Sequence, residues 1–134
     1  MESTKVEPEW VSEKTVNAIH LRQLAEHGVR KASDEWRLVS ALGRPRNQFN
    51  WKKYDLFRLA AMYAFGIVVN KPYVESNVRT AYVAALTFLK LNGFHVVAAK
   101  RDKYEFFRLA VCELKTGETE RILADWFRAH AEAV

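Results

Sequence analysis

Two apolar runs in the middle of the chain place the strongest constraint on the fold. Residues 56–69 contain one charged side chain, Arg58, and residues 81–91 contain only Lys90. A helix that is apolar on every face is buried inside a domain. We therefore expect a buried pair of helices with the remaining helices packed around it.

A polar segment, residues 70–80, joins the two runs. Pro72 is predicted to end the first helix, because its ring clashes with the preceding turn and it lacks an N–H group. Ser76 or Asn77 can cap the second helix, whose free N–H groups would point into the segment together with Arg79. Such groups attract anions, so the sequence predicts an anion site at this helix start.

Helical patterns precede the buried pair. Residues 12–27 are predicted to form a helix, with His20 on its buried face as a hydrogen-bonded core residue. Ser33 starts a second predicted helix, which Gly43 and Pro45 close.

Further elements are predicted after the pair. Residues 94–99 read as a short extended piece, Asp102 opens a helix that Gly117 ends, and Thr119 begins a last helix. The sequence thus predicts an all-α fold of about six helices around the buried pair.

Residues 44–54 combine four basic side chains with three aromatic ones and contain no acid. Their lack of periodicity predicts a loop or a short hairpin. Basic residues interleaved with aromatics could stack on single-stranded nucleic acid, or the aromatics could fold back on the core.

The chain of 134 residues is predicted to form one domain at residues 11–134, preceded by a mobile tail at residues 1–10. No apolar run approaches the ~20 residues that span a bilayer, and the N-terminus is unlike a signal peptide. We expect a cytoplasmic protein without membrane contact, with Cys112 as a packed thiol. A net charge of +5 suits an anionic partner, whether nucleotide, nucleic acid or acidic protein.

Residues 70–81 read Asn-Lys-Pro-Tyr-Val-Glu-Ser-Asn-Val-Arg-Thr-Ala. This resembles a degraded copy of the motif of the death-on-curing (Doc) branch of the Fic superfamily, His-Pro-Phe-x-Asp/Glu-Gly-Asn-Lys/Gly-Arg-Thr-Ala. Other segments resemble that family in the same order, namely residues 18–20, 40–46, 55–61, 65–67, 88–94 and 123–126. The resemblance covers roughly residues 11–130. It implies a Fic/Doc-like helical bundle in which residues 44–54 form a flap that faces the substrate.

The resemblance also implies roles for the motif residues. In the family, the motif histidine is the general base, the acidic residue holds Mg²⁺ on the nucleotide phosphates, and the following turn binds phosphate. The implied metal ligand is therefore Glu75, with an ATP-like nucleoside triphosphate as cofactor. The implied catalytic residues are Lys71, Glu75, Asn77 and Arg79. The implied cofactor-binding residues are Ser76, Asn77, Val78 and Arg79.

Three motif positions depart from the family pattern. Lys71 stands where the histidine should be, and an ordinary lysine is protonated at pH 7 and cannot accept a proton. Ser76 replaces a glycine, which adds strain if the turn needs a positive φ. Val78 replaces a lysine or glycine and removes either a positive charge or the room for a close backbone approach. This pattern favours a retained fold with altered chemistry.

Three functions remain open, and with them the question of whether this phosphotransferase or nucleotidyltransferase fold is an active enzyme. The first is a divergent pseudoenzyme of a toxin-antitoxin system that still binds phosphate or nucleotide. The second is an active toxin that modifies a hydroxyl of a translation factor and is held in check by a small antitoxin with a helical tail. The third is a small basic nucleic-acid-binding protein, and a structural or scaffold role stays open beside these three.

Overall fold

The computed structural model describes residues 6–27, 34–73, 76–96, 101–114 and 118–134. These ranges contain six α-helices: α1 (Glu13–His27), α2 (Glu35–Lys52), α3 (Leu56–Asn70), α4 (Asn77–Leu91), α5 (Arg101–Leu109) and α6 (Glu118–His130). A π-helical turn at Ala110–Leu114 continues α5. Two short strands, β1 (Phe94–Val96) and β2 (Ala131–Ala133), pair antiparallel with Phe94 opposite Ala133. The predicted all-α bundle is confirmed.

Helix α3 lies at the centre of the bundle. Ten of its fifteen residues are buried, and it packs against α2, α4 and α6. Its neighbour α4 buries seven residues, among them the small side chains of Ala81, Ala84 and Ala85. Small side chains let two helix backbones approach closely. The burial of both helices confirms the predicted buried pair at α3 and α4.

Helix α2 differs most from the sequence prediction. Gly43 and Pro45 were expected to close it, but the helix continues through both residues to Lys52. Its buried residues, Leu38, Ala41, Pro45 and Phe49, lie three or four positions apart and form one stripe. The contacts of this stripe outweigh the helix-breaking tendency of the two residues.

The loop or short hairpin predicted at residues 44–54 is therefore wrong, because residues 44–52 are helical. Proline has no N–H group, so Pro45 leaves the Ala41 carbonyl without its helical donor. Gly66 of α3 faces that carbonyl, and a Cβ atom on Gly66 would lie 3.3 Å from the oxygen. The two helices can approach closely because position 66 has no side chain.

The N-terminal segment contacts the domain ahead of the predicted boundary at Val11. The Glu9 N–H donates to Asn92 Oδ1 at 2.8 Å, and Asn92 Nδ2 donates back to the Glu9 carbonyl at 2.9 Å. Trp10 stacks on Phe88, with 6.0 Å between ring centroids. Residues 1–5 of the predicted tail lie outside the described residues.

The remaining predicted boundaries are close to those of the structure. Ser12 accepts a hydrogen bond from the Thr15 N–H at 3.1 Å and so caps α1. Helix α5 begins at Arg101, one residue before Asp102, and α6 begins at Glu118, one residue before Thr119. Ser33 and Gly117 lie outside the described residues, as do residues 97–99 of the predicted extended piece.

Two further observations bear on the sequence predictions. Cys112 is a half-buried free thiol in the π-helical turn. Among the described residues, no helix is both long enough and apolar enough to span a membrane.

Candidate anion-binding site at the start of α4

The end of α3 positions the predicted site. Lys71 adopts the left-handed conformation with φ 49°, and its N–H donates to the Ile67 carbonyl at 3.0 Å. Pro72 follows, so its predicted role in ending the helix is confirmed. The Pro72 carbonyl accepts a hydrogen bond from the Asp34 N–H at the start of α2. The Lys71 side chain is exposed to solvent.

Tyr73 fixes the connecting loop to α1. Its ring stacks on His20 with 3.6 Å between centroids, and its hydroxyl donates to Asn17 Oδ1 at 2.6 Å. The buried position predicted for His20 is confirmed. Burial raises the pKa of Tyr73 to about 12, so the hydroxyl keeps its proton and remains a donor at neutral pH.

Asn77 holds the two sides of the loop together. Its Oδ1 accepts from the Tyr73 N–H at 3.1 Å, and its Nδ2 donates to the Tyr73 carbonyl at 2.7 Å. Both atoms of the amide are thereby used within the protein. The resemblance implies a catalytic and cofactor-binding role for Asn77, whereas these contacts show that it orders the loop.

Ser76 occupies the N-cap position of α4 but does not cap the helix through its side chain. The capping expected from Ser76 or Asn77 is therefore wrong. Ser76 has φ 64°, in the left-handed region, which is the strained case considered for a serine in place of glycine. Among the described residues, no acceptor binds the N–H groups of Asn77, Val78 and Arg79. Donors of this kind at a helix start can bind an anion.

Arg79 lies beside these N–H groups in the first turn of α4. Its guanidinium carbon is 4.4 Å from the centroid of the Tyr104 ring on α5. No carboxylate of the described ranges forms an ion pair with it, so its donors are available to a ligand. The Val78 side chain packs partly buried against the core, so its contribution to an anion site is its backbone N–H.

Lys71 thus lies at the C-cap of α3, Ser76 at the N-cap of α4, and Asn77, Val78 and Arg79 in the first turn of α4. Glu75, the predicted metal ligand, lies outside the described residues. Among those that are described, no group of three or more His, Cys, Asp or Glu side chains could hold a metal ion.

An ion-pair cluster at the other end of α3 escaped the sequence analysis. Glu120 of α6 is 4 % exposed and accepts two hydrogen bonds of 2.9 Å from Arg44 of α2. These bonds raise the pKa of Arg44. Arg58 approaches Glu120 to 3.9 Å, and Arg128 donates to Asp55, the N-cap of α3, at 2.8 Å. Arg44 was assigned to a substrate-facing flap, but here it joins α2 to α6.

A groove of about 540 Å³ between α2 and α3 was also missed. Its polar lining consists of Ser40, Arg44, Asn47, Gln48 and Asn70, and its apolar lining of Ala41, Phe65, Gly66 and Val69. Asn70 places one end of the groove next to Lys71. The groove could have been predicted only if residues 44–52 had been assigned to a helix.

Comparison with known proteins agrees with this architecture. The sequence model of the Fic/DOC family matches residues 10–89, which include α1, α2, α3, the motif loop and most of α4. No curated protein matches the chain. Because the family match extends over more than half of the sequence, the chain belongs to the Fic/DOC family.

Proposed function

We propose that this protein is a divergent member of the death-on-curing branch that binds phosphate or nucleotide at the start of α4 and has weak or lost transferase activity. The observation that carries the proposal is the first turn of α4, which contains Arg79 and whose N–H groups meet no acceptor among the described residues. Helix-terminal N–H groups and an arginine together favour a phosphate group.

The weak activity follows from position 71. Lys71 stands in place of the motif histidine, which is the general base in the family, and its side chain is exposed to solvent. Loss of a general base typically reduces a rate by about 10² to 10⁴. The positive charge of Lys71 would instead attract an anionic ligand.

We propose an ATP-like nucleoside triphosphate with Mg²⁺ as the ligand. Magnesium commonly binds one or two carboxylates together with phosphate oxygens, and Glu75 is the residue that would supply the carboxylate. The ion would neutralise part of the phosphate charge. The chain's own contribution would be the N–H groups of residues 77–79 and the guanidinium of Arg79.

The proposed biological setting is a toxin-antitoxin system. An active toxin, acting on a translation factor and held by a small antitoxin, would need either Lys71 as its base or substrate-assisted chemistry, and the Lys71 side chain is exposed to solvent. The nucleic-acid alternative loses support, because Arg44 pairs with Glu120 and Phe49 is buried.

Calorimetric titration tests the proposed ligand. The protein is titrated with ATP and the other nucleoside triphosphates, each with and without Mg²⁺. We expect saturable heat for at least one nucleotide, a loss of at least about tenfold in affinity for Arg79→Gln, and competition by inorganic phosphate. Arg37→Gln is a matched control, since Arg37 pairs with Asp34 on the surface. No heat above buffer for any nucleotide would contradict the proposal.

Restoring the family motif tests the account of lost activity. The triple variant Lys71→His, Ser76→Gly, Val78→Lys is expected to transfer labelled phosphate or AMP to a hydroxyl at a rate well above that of the unchanged protein. Transfer by the unchanged protein at the rate of the triple variant would instead identify an active enzyme.

A further inference from the structure

The contact between Arg79 and Tyr104 joins the motif loop to α5. Its distance of 4.4 Å is the shortest between a cation and a ring among the described residues. The Tyr104 ring also meets Tyr82 of α4 edge-on at 5.4 Å, and Tyr82 packs on Phe107 of α5 at 4.9 Å. Arg79 and Tyr82 are three residues apart and share one face of α4, so α5 packs along that face.

The ring constrains the guanidinium without consuming its donors. A cation over an aromatic face is held by the ring quadrupole, and its N–H groups remain able to donate at their edges. A carboxylate partner would occupy those donors and cancel the charge. Burial raises the pKa of Tyr104, so the ring is uncharged at neutral pH and its face can hold a cation.

We infer that Tyr104 is a positioning residue of the anion site: its ring holds the Arg79 guanidinium beside the first turn of α4 and so couples anion binding to the placement of α5. This rests on the proposed function, because it requires that the site binds a phosphate group. An arginine already held in one orientation loses less conformational entropy when the ligand arrives.

The experiment compares Tyr104→Leu, which removes the ring, with Tyr104→Phe, which keeps it. Phe106→Leu is the matched control, because Phe106 lies on the same helix but stacks on Trp126. Calorimetry with Mg-ATP is expected to give an affinity about three- to tenfold weaker for Tyr104→Leu. Tyr104→Phe and Phe106→Leu should stay within about twofold of the unchanged protein.

Nuclear magnetic resonance supplies a second readout that a general packing role would not change. The Arg79 side-chain protons should be shifted upfield by the ring current in the unchanged protein and in Tyr104→Phe, and should lose that shift in Tyr104→Leu. The Arg79 signal is assigned by its loss in Arg79→Lys. If Tyr104→Leu fails to fold, the unchanged protein and Tyr104→Phe still report the shift.

Three outcomes would overturn the inference. Equal affinity of the unchanged protein and Tyr104→Leu would overturn it while leaving the proposed function intact. The absence of an upfield shift for Arg79 in the unchanged protein would do the same. No binding of any nucleotide to the unchanged protein would overturn the proposed function and this inference together.

Discussion

The charged side chains at the two ends of helix α3 have different kinds of partner. At its start, Asp55 caps the helix and pairs with Arg128, while Glu120 pairs with Arg44 nearby. At its end, Lys71 is exposed, and Arg79 lies over a ring rather than beside any described carboxylate. Cations that carboxylates have not neutralised remain available to a ligand.

The backbone conformation does not follow the same division, since Lys53, just before the start of α3, is also left-handed. Asp55 caps α3 from an ordinary extended conformation and accepts a hydrogen bond from the Arg58 N–H at 2.9 Å. Across the motif loop, Lys71 and Ser76 both adopt left-handed conformations, each unfavourable for a residue with a side chain. Paired charges thus stabilise one end of α3, whereas left-handed residues lie beside both ends.

The largest expected effect comes from removing the acid at the paired end. Glu120→Gln leaves two arginines beside an uncharged buried amide and should lower the free energy of unfolding by about 2–3 kcal/mol in urea denaturation. This range allows for the 44 % exposure of the Arg44 side chain.

The control for Glu120→Gln is Glu118→Gln. Glu118 and Arg121 form an exposed pair on the same helix, and losing it should change stability by less than about 0.5 kcal/mol. Equal effects of the two variants would show that the cluster at the start of α3 is no stronger than a surface pair.

The next largest effect concerns the turn at the other end. Asn77→Ala removes both hydrogen bonds to the Tyr73 backbone and should destabilise the fold by about 1–2 kcal/mol. It should also weaken nucleotide binding, because the loop loses its closure. Asn50→Ala, on the exposed face of α2, is the control and should be neutral or slightly stabilising. Unchanged nucleotide affinity in Asn77→Ala would contradict the expectation that the hydrogen bonds of Asn77 order the loop for nucleotide binding.

Tyr73 is expected to make the free energy of unfolding depend on pH in the alkaline range. Its pKa rises from 10.0 to about 12 on folding, so the folded state binds more protons between those values. Stability is then fully present below pH 10 and falls as the pH rises toward 12.

The variant that tests this dependence is Tyr73→Phe, with urea denaturation from pH 7 to pH 11. It should cost about 1 kcal/mol at pH 7, through the lost bond to Asn17, and should flatten the fall above pH 10. Tyr63→Phe removes another tyrosine with a pKa of about 12, but inside α3. Tyr63→Phe should also flatten the decrease in stability above pH 10, without changing nucleotide affinity. If neither variant alters the dependence of stability on pH, the decrease does not come from these two tyrosines.

The smallest effect is the release of strain at the N-cap of α4. Ser76→Gly should stabilise the protein by about 0.5–1 kcal/mol, because glycine adopts a positive φ without penalty. Ser40→Gly within α2 is the matched control and should destabilise by a similar amount. A destabilising Ser76→Gly would show that the serine is not strained there.

Most of the helices could be predicted because their causes are local. The apolar residues of α3 and α4, the proline after Lys71 and the capping serine before α1 each act within a few positions. The family motif has a glycine at position 76, so the sequence analysis could predict strain there if the turn requires a positive φ. The extent of α2 could not be predicted, because Gly43 and Pro45 are local helix breakers and only the fit of Pro45 into the core overrides them.

The sequence by itself determined that two buried helices meet at a polar loop, since two apolar runs and a proline leave few alternatives. Only the tertiary structure decided how the charges pair. Arg44 and Glu120 are 76 positions apart, and Arg79 meets Tyr104 only after α5 has packed on α4. Such contacts depend on how helix faces are oriented in space. The spacing of residues along one helix does not determine which other helices pack against it.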